Sequence, residues 1–332
     1  MVDSASPRRR GPALPMRWIV LGGAAYGVSM RLLFGLWPFT HRPLGSAGPM
    51  FVSFLFAVPL ALGFWSVSRL SPERRTIGAA LLVPWGATAL LLAAAAFLLL
   101  EGSICLVLAA PIFLLMASIG GFLAWILMRF KPAPSVTNAV LVLPLMLGIA
   151  ERQAAIPDAH RRSVQSVHVA ASPERIWRLI NQASDIAPAE MGQGWAWRIG
   201  VPYPLSALTV TEDGARVRKL RWQKGVHFDE PILDWDENRY IRWSYRFAPD
   251  SIPPGALDEH VEVGGRYFDL LDTSYRLEPE GHGTRLTIEV NYRVSTHFNW
   301  YATRLGDFLV SDAARTILDF YKHRTEHDVR EG

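Results

Sequence analysis

Residues 76–100 (TIGAALLVPWGATALLLAAAAFLLL) and 104–128 (ICLVLAAPIFLLMASIGGFLAWILM) contain no charged side chain. At about 1.5 Å rise per residue, each exceeds as a helix the roughly 30 Å hydrocarbon layer of a bilayer. Upstream, 16–37 and 50–68 read as two further spans, with Arg31 near the far end of the first and able to snorkel. Downstream, 136–150 (VTNAVLVLPLMLGIA) is about 22 Å long as a helix and only marginally long enough. Counting it gives an α-helical membrane bundle of about five spans over residues 1–150.

Composition agrees with a membrane-embedded half. Hydrophobic residues make up 50% of the 332 and charged residues 19%. The mean hydropathy of +0.15 is high for a wholly soluble chain. The PRRR near the N-terminus invites a signal-peptide reading, but no clean small-residue cleavage site succeeds it and more spans come after. Each of runs two to five carries one proline (Pro59, Pro84, Pro111, Pro144), and no Asp, Glu, Lys or His lies mid-span. Transport pathways usually need such groups, so these runs read as an anchor.

Arginines set the orientation. Arg8, Arg9, Arg10 and Arg17 precede the first run, Arg69, Arg74 and Arg75 follow the second, and Arg129 and Lys131 follow the fourth. The positive-inside rule places these segments in the cytoplasm and the 38–49 and 101–103 loops outside. If 136–150 spans, the C-terminal part of the chain lies on the outer, periplasmic face of a bacterial cytoplasmic membrane. If it lies in the interface, that part stays in the cytoplasm.

Residues 151–162 (ERQAAIPDAHRR) are a polar linker, and the texture then changes to period two. SVQSVHVA (163–170) alternates as a strand does, and Ser172-Pro173-Glu174 opens a helix carrying Ile176, Trp177 and Ile180. Short strands are predicted at about 206–211, 216–222, 226–234, 239–247, 266–278 and 284–295. A long amphipathic helix over 297–324 closes the chain, with Tyr301, Leu305, Phe308, Leu309, Ala313, Ile317 and Phe320 as its apolar stripe. Residues 326–332 are a tail.

The order strand, helix, six antiparallel strands and closing helix resembles the helix-grip fold of the START-like (SRPBCC) superfamily. That group includes polyketide cyclase/dehydrase and lipid-transport domains. The likeness rests on VQSVHVAASPERIWRLI, on GTRLTIEVNY and on the closing ILDFYKHR, and it covers 163–325. It implies an α+β domain, a curved antiparallel sheet around a long C-terminal helix, with a deep cavity between them for apolar ligands. These stretches mark a fold rather than a chemistry.

Side-chain alternation gives the inner wall independently. On 239–247, Ile241, Trp243, Tyr245 and Phe247 share one face; on the last strand, Leu286, Ile288, Val290 and Tyr292 do. A turn at 280–283 sets Leu277 opposite Leu286 and Tyr275 opposite Ile288. Gln223-Lys224-Gly225 suits a three-residue hairpin loop, which sets Leu220 opposite Phe228 and Arg218 opposite Glu230. The candidate ligand-lining set is therefore Arg218, Leu220, Trp222, Phe228, Glu230, Ile241, Trp243, Tyr245, Tyr267, Tyr275, Ile288, Tyr292, Leu305 and Phe308. An inward Arg218–Glu230 pair suits orienting a polar head group or buttressing the cavity rim.

Other chemistry is excluded or weaker. Cys105, the one cysteine, lies in an apolar run, so no intrachain disulfide framework or multi-cysteine metal site is possible. His227, Asp229, His260 and His297 match no known ligand spacing, so neither a metal nor another cofactor is expected. The 248–265 segment with Asp258-Glu259-His260 is long for a hairpin link and suits a lid. No basic, aromatic-interleaved stretch points to nucleic acid. The expected partners are a bilayer and a hydrophobic small molecule or lipid. Binding is favoured over a cyclase- or hydrolase-type reaction that uses Arg218, Glu230 and a tyrosine, and over a structural or stress-related role without a ligand.

Reporter fusions after residues 132 and 160 should report opposite sides of the membrane. If both report the cytoplasm, the fifth span is wrong.

Overall fold

A computed structural model describes residues 14–36, 50–130, 132–191, 194–258 and 260–327. Arg8–Arg10, the 38–49 loop, Lys131, Gly192 and Glu259 lie outside the described residues. The chain divides into two compact units. The first takes the N-terminal residues through Leu100 together with Ala109–Ala154; the second takes Glu101–Leu108 and everything from Ala155 onward.

The helices α1 (Met16–Phe34), α2 (Val58–Ser68), α3 (Ile77–Phe97), α4 (Ser103–Leu127) and α5 (Pro134–Glu151) fall in the first half of the chain. Three described helices are long and apolar enough to cross a membrane: Ile77–Phe97, Ser103–Phe130 and Pro134–Glu151. The expectation of five spans is reduced accordingly. The helix Met16–Phe34 carries Arg17 and Arg31 and is less apolar, and the helical stretch Ser53–Ser68 is short. The segment read as marginal, 136–150, extends at both ends into the 18 residues of α5.

Local chemistry sets these helix ends. The Thr76 side chain accepts a hydrogen bond from Ala79 N and caps α3, and Pro134 opens α5, where a missing N–H costs nothing. At the far end of α5, Glu151 accepts hydrogen bonds from Val52 N (2.6 Å) and Ser53 N (2.9 Å), the free amides at the start of the helical stretch that leads into α2. Within the bundle, a Cβ on Gly63 would overlap the Ala117 carbonyl and one on Gly120 would overlap the Leu60 carbonyl. Small residues thus let backbones meet, as membrane helices require when lipid tails offer no hydrophobic gain from burying larger ones.

The second unit is an eight-stranded antiparallel sheet with helices on its inner side. In chain order it comprises β1 (Asp158–Val169), α6 (Pro173–Asn181), β2 (Gln182–Ala183), α7 (Trp195–Arg198), β3 (Pro204–Glu212), β4 (Ala215–Trp222), β5 (His227–Asp236), β6 (Tyr240–Ser244), β7 (Phe268–Glu280), β8 (Gly283–Ser295) and α8 (Asn299–His327). The strand order is β1-β8-β7-β6-β5-β4-β3-β2. The curved half-barrel with its C-terminal helix fits the helix-grip architecture expected from sequence.

The register obeys side-chain parity. Leu277 pairs with Leu286, Tyr275 with Ile288, Leu220 with Phe228 and Arg218 with Glu230. At the β4–β5 turn, Trp222 N donates to Val226 O, and Lys224 (φ 56°) and Gly225 (φ 76°) both adopt the left-handed conformation. Strand β6 ends at Ser244, and beyond it only an isolated bridge, Asp229 with Arg246, continues toward Phe247.

The face that α8 presents to the sheet differs from the expected stripe. Ala314, Leu318, Phe320, Tyr321 and Thr325 are buried, with Ala302, Val310 and Ile317 packed against the core. Gly306 sits against Tyr292 and Val294, where a Cβ would lie 3.4 Å from each ring or methyl carbon. Phe308 is 47% exposed and Leu305 half-buried, and neither belongs to the core. Ile317 and Phe320 of the expected stripe do face the core, but small residues such as Ala302, Gly306 and Ala314 make part of the contact, so counting only large apolar ones misplaces part of the face.

Candidate ligand-binding face

The inner face of the sheet has a sealed end and a half-open end. At the sealed end, β4 and β5 place Arg218 and Glu230 opposite each other, both nearly inaccessible to solvent. Arg218 Nη1 donates to Glu230 Oε2, Nε donates to the Ile180 carbonyl (3.2 Å) and Nη2 donates to Tyr321 OH (3.2 Å). Its guanidinium also lies 4.6 Å from the Trp243 ring centroid. One arginine therefore ties two strands to the end of α6 and to α8. Tyr275 packs edge-on against Tyr321 and beside Trp243, closing the cluster.

Electrostatics here are set by burial. Loss of solvent pushes the Glu230 carboxyl up to about 7, with the charge and hydrogen bond of Arg218 offsetting part of the rise. Burial also works against the Arg218 charge, but the adjacent Glu230 outweighs it and holds the guanidinium above its ordinary value. Arg218 stays charged throughout, and Glu230 is the member of the pair that titrates. The two side chains are only 4% and 3% exposed, and the guanidinium is held by Glu230, Ile180 and Tyr321. The geometry is that of a buttress.

A second polar lock joins α8 to the sheet. Tyr292 OH donates to Asp307 Oδ1, and Arg161 donates to the same carboxylate from β1. Tyr292 is fully buried and committed to this contact. Leu220, Phe228, Ile241, Trp243, Tyr275 and Ile288 are all at most 7% exposed and form continuous core.

At the other end, large apolar groups remain half-buried: Trp222 and Tyr245 of the expected set, together with Phe247, Phe268 and Leu270. Tyr245 OH and Thr273 Oγ1 are 2.7 Å apart, which fixes that ring, and Phe228 bridges Trp222, Tyr245 and Phe247 at 5.3–6.0 Å between centroids. Trp197 stands edge-on to Trp222 at 6.1 Å. The indole N–H groups of Trp197 and Trp222 are buried with no acceptor. Tyr267 is half-buried beside His260, 5.7 Å between rings. A separate recess of about 370 Å³, lined by Thr211, Gly214, Arg216, Ile232, Leu233 and Trp235, touches none of the expected lining residues.

The 248–265 segment is packed down rather than raised as a lid. Ser251, Ala256 and His260 are buried, Ser251 O accepts from His227 N (2.9 Å), and Lys224 Nζ donates to Ala256 O (3.3 Å). His227 and Asp229 do not converge with His260. Asp229 pairs with Arg246 (2.8 Å) and Lys219 (3.5 Å).

Sequence reading did not find Tyr321, Asp307 or Arg161. Tyr321 adjoins Phe320 in the ILDFYKHR stretch, and two adjacent aromatics on one helix leave open which faces the sheet.

A family model described as "Polyketide cyclase / dehydrase and lipid transport" matches residues 160–319. The match is confined to this segment, just under half of the chain. Among solved structures, the chain is similar to TTHA0849 from Thermus thermophilus, with 19% identity over 51% of this chain and 99% of that one and a TM-score of 0.32. It is also similar to the ZhuI aromatase/cyclase of Streptomyces sp. R1128 (13% identity, 52% and 96% covered, TM-score 0.32). A START superfamily protein from Mycobacterium smegmatis shows 14% identity, 51% and 99% covered, and a TM-score of 0.33. Comparison with curated proteins finds no match.

Two outcomes test the buttress. Arg218→Ala should destabilise the protein by about 3–5 kcal/mol, because it strands a buried carboxylate. Arg242→Ala, which removes an exposed pair with Asp234, should change thermal stability little. Equal shifts in melting temperature would refute the inward pair.

The pH dependence derives from the raised Glu230 value. A carboxyl lifted from 4.5 to about 7 on folding favours the protonated native state. Its stabilising contribution is full below about pH 4.5 and declines as pH rises through 7, by an amount on the order of 3 kcal/mol. Glu230→Gln should lack this component, so wild type should lose stability relative to the variant between pH 4.5 and 7.5. Parallel melting curves across that range would contradict the assignment.

Proposed function

We propose that this chain is a membrane-anchored binding protein whose START-like domain holds an apolar small molecule or lipid at the half-open end of its inner face. The observation that carries the reading is the wall formed by Trp222, Tyr245, Phe247, Phe268 and Leu270. These large apolar groups stay half-buried and pack against the closed core of the domain. On α8 the small Ala302 is partly buried and packs against the same core.

The unpaired indole donors of Trp197 and Trp222 refine the chemistry. A buried donor without a partner costs about 1–3 kcal/mol, so a ligand that carries a carbonyl, hydroxyl or ester oxygen would recover that loss. The preferred ligand is therefore mostly apolar with one hydrogen-bond acceptor. A cyclase or hydrolase reading draws less support, since Arg218 and Glu230 are saturated by each other, Ile180 and Tyr321. The apolar helices support membrane anchoring, and the arginine distribution supports placing the domain on the outer face.

A photoactivatable acyl probe added to the full chain in detergent should label peptides that carry Trp222, Tyr245 or Phe268. Ala302→Trp should reduce that labelling several-fold and leave labelling of the 77–130 region unchanged. Equal labelling of wild type and variant at the aromatic wall, or none there, would remove the binding reading.

A further inference from the structure

Glu101, Cys105, Asp258 and His260 converge, with one donor atom from each lying within 4.8 Å of all the others. Cys105 lies in the first turn of α4 and Glu101 two residues before that helix, and Asp258 and His260 are alternate residues of the segment between β6 and β7. All four belong to the second compact unit.

The distances suit a four-coordinate ion. His260 Nδ1 lies 3.2 Å from Cys105 Sγ, 3.3 Å from Asp258 Oδ1 and 3.6 Å from Glu101 Oε2. Tetrahedral bonds of about 2.0–2.3 Å place donor atoms roughly 3.3–3.8 Å from one another. These three separations lie within a few tenths of an ångström of such edges, and all the donor atoms lie within 4.8 Å of one another.

Burial supplies an independent argument. The side chains of Asp258, His260 and Glu101 are 4%, 7% and 14% exposed. Asp258 Oδ2 is buried with no hydrogen-bond partner. Gly102 makes room for this carboxylate, since a Cβ there would overlap Asp258 Oδ2. Two carboxylates, a thiol and an imidazole are thus gathered away from water. Buried charges in proteins are paired or hold a metal.

We propose that Glu101, Cys105, Asp258 and His260 form a zinc site. One sulfur, one nitrogen and two oxygens form a mixed, borderline-soft donor set that fits Zn²⁺ better than Ca²⁺ or Mg²⁺, which prefer oxygen alone at higher coordination. With four protein ligands the shell is closed, so the ion is structural. It clips the start of α4 to the segment after β6. The backbone N–H of His260 donates to Asp258 Oδ1 (3.2 Å), which orients that ligand before metal arrives. The site was invisible to spacing rules because its halves lie more than 150 residues apart, and Cys105 reads as one more apolar position in a membrane run.

The test uses the full chain in detergent, purified without a histidine tag and without chelator. Elemental analysis should find about one zinc per chain. Cobalt exchanged into the protein should give a thiolate-to-cobalt charge-transfer band that Cys105→Ser abolishes. Stripping zinc with chelator should lower the wild-type melting temperature, and zinc alone should restore it. Asp258→Asn should weaken zinc binding at least tenfold. Should a variant fail to fold, the strip-and-restore cycle on wild type decides. Wild-type protein that binds no zinc after saturation and dialysis, or that melts identically with and without it, would overturn the proposal. So would stoichiometric zinc retained equally by Cys105→Ser and Asp258→Asn.

Discussion

The C-terminal domain depends on one buried ion pair. Arg218 and Glu230 face each other across β4 and β5, and Arg218 also reaches the end of α6 and the hydroxyl of Tyr321 on α8. Three layers of the fold meet at a single guanidinium, whose planar fork supplies donors in several directions at once. Such a pair adds little net stability over an apolar replacement, because desolvation offsets the attraction. Its value lies in selection. A strand slipped by one residue would put Arg218 on the solvent face and leave Glu230 buried alone, so wrong registers are penalised far more than the right one is rewarded.

This constraint commits the chemically richest residues of the inner face to holding the fold. Sequence parity correctly placed Arg218, Glu230, Tyr275 and Tyr292 on one face, and charged or hydroxylated groups there invite an active-site reading. In the folded domain each is consumed by a partner: Arg218 by Glu230, Ile180 and Tyr321, and Tyr292 by Asp307. The groups left with unspent capacity include half-buried aromatics and the indole N–H donors of Trp197 and Trp222 at the other end of the sheet, together with that of Trp243 beside the pair. Site chemistry is therefore decided by which groups remain unsatisfied, and parity alone does not reveal that.

The strands were legible because a period of two is strict and tight turns fix register. Gln223-Lys224-Gly225 determined the Arg218–Glu230 pairing, and the turn at 280–283 determined Tyr275 opposite Ile288. Helix faces were less legible. A period of 3.6 drifts, and part of the α8 contact is made by Ala302, Gly306 and Ala314, which leave no hydrophobic signal. Phe308 drew the stripe toward solvent because a large side chain reads as core wherever it sits. In the membrane half, apolar runs were easy to find, but a run does not fix where a helix starts. Thus Pro134 lengthened α5 to a plausible span, while α1 kept two arginines and fell below the others in apolarity.

The boundary between the two units departs furthest from a reading by composition. A change in texture near residue 150 suggests a simple join, but Glu101–Leu108 groups with the C-terminal domain while the remainder of α4 does not. Ser103 Oγ donates to the Ile199 carbonyl (3.1 Å), and Tyr301 OH donates to the Leu108 carbonyl (2.8 Å). The domain therefore borrows a short strap from between two apolar helices, and a fragment beginning near residue 158 would lack it. Asp258 and His260 would then lose the groups that close their site, and the segment after β6 would lose its packing partner. Contiguity along the chain and membership of a folding unit are different properties, and here side-chain partners, rather than hydropathy, define the unit.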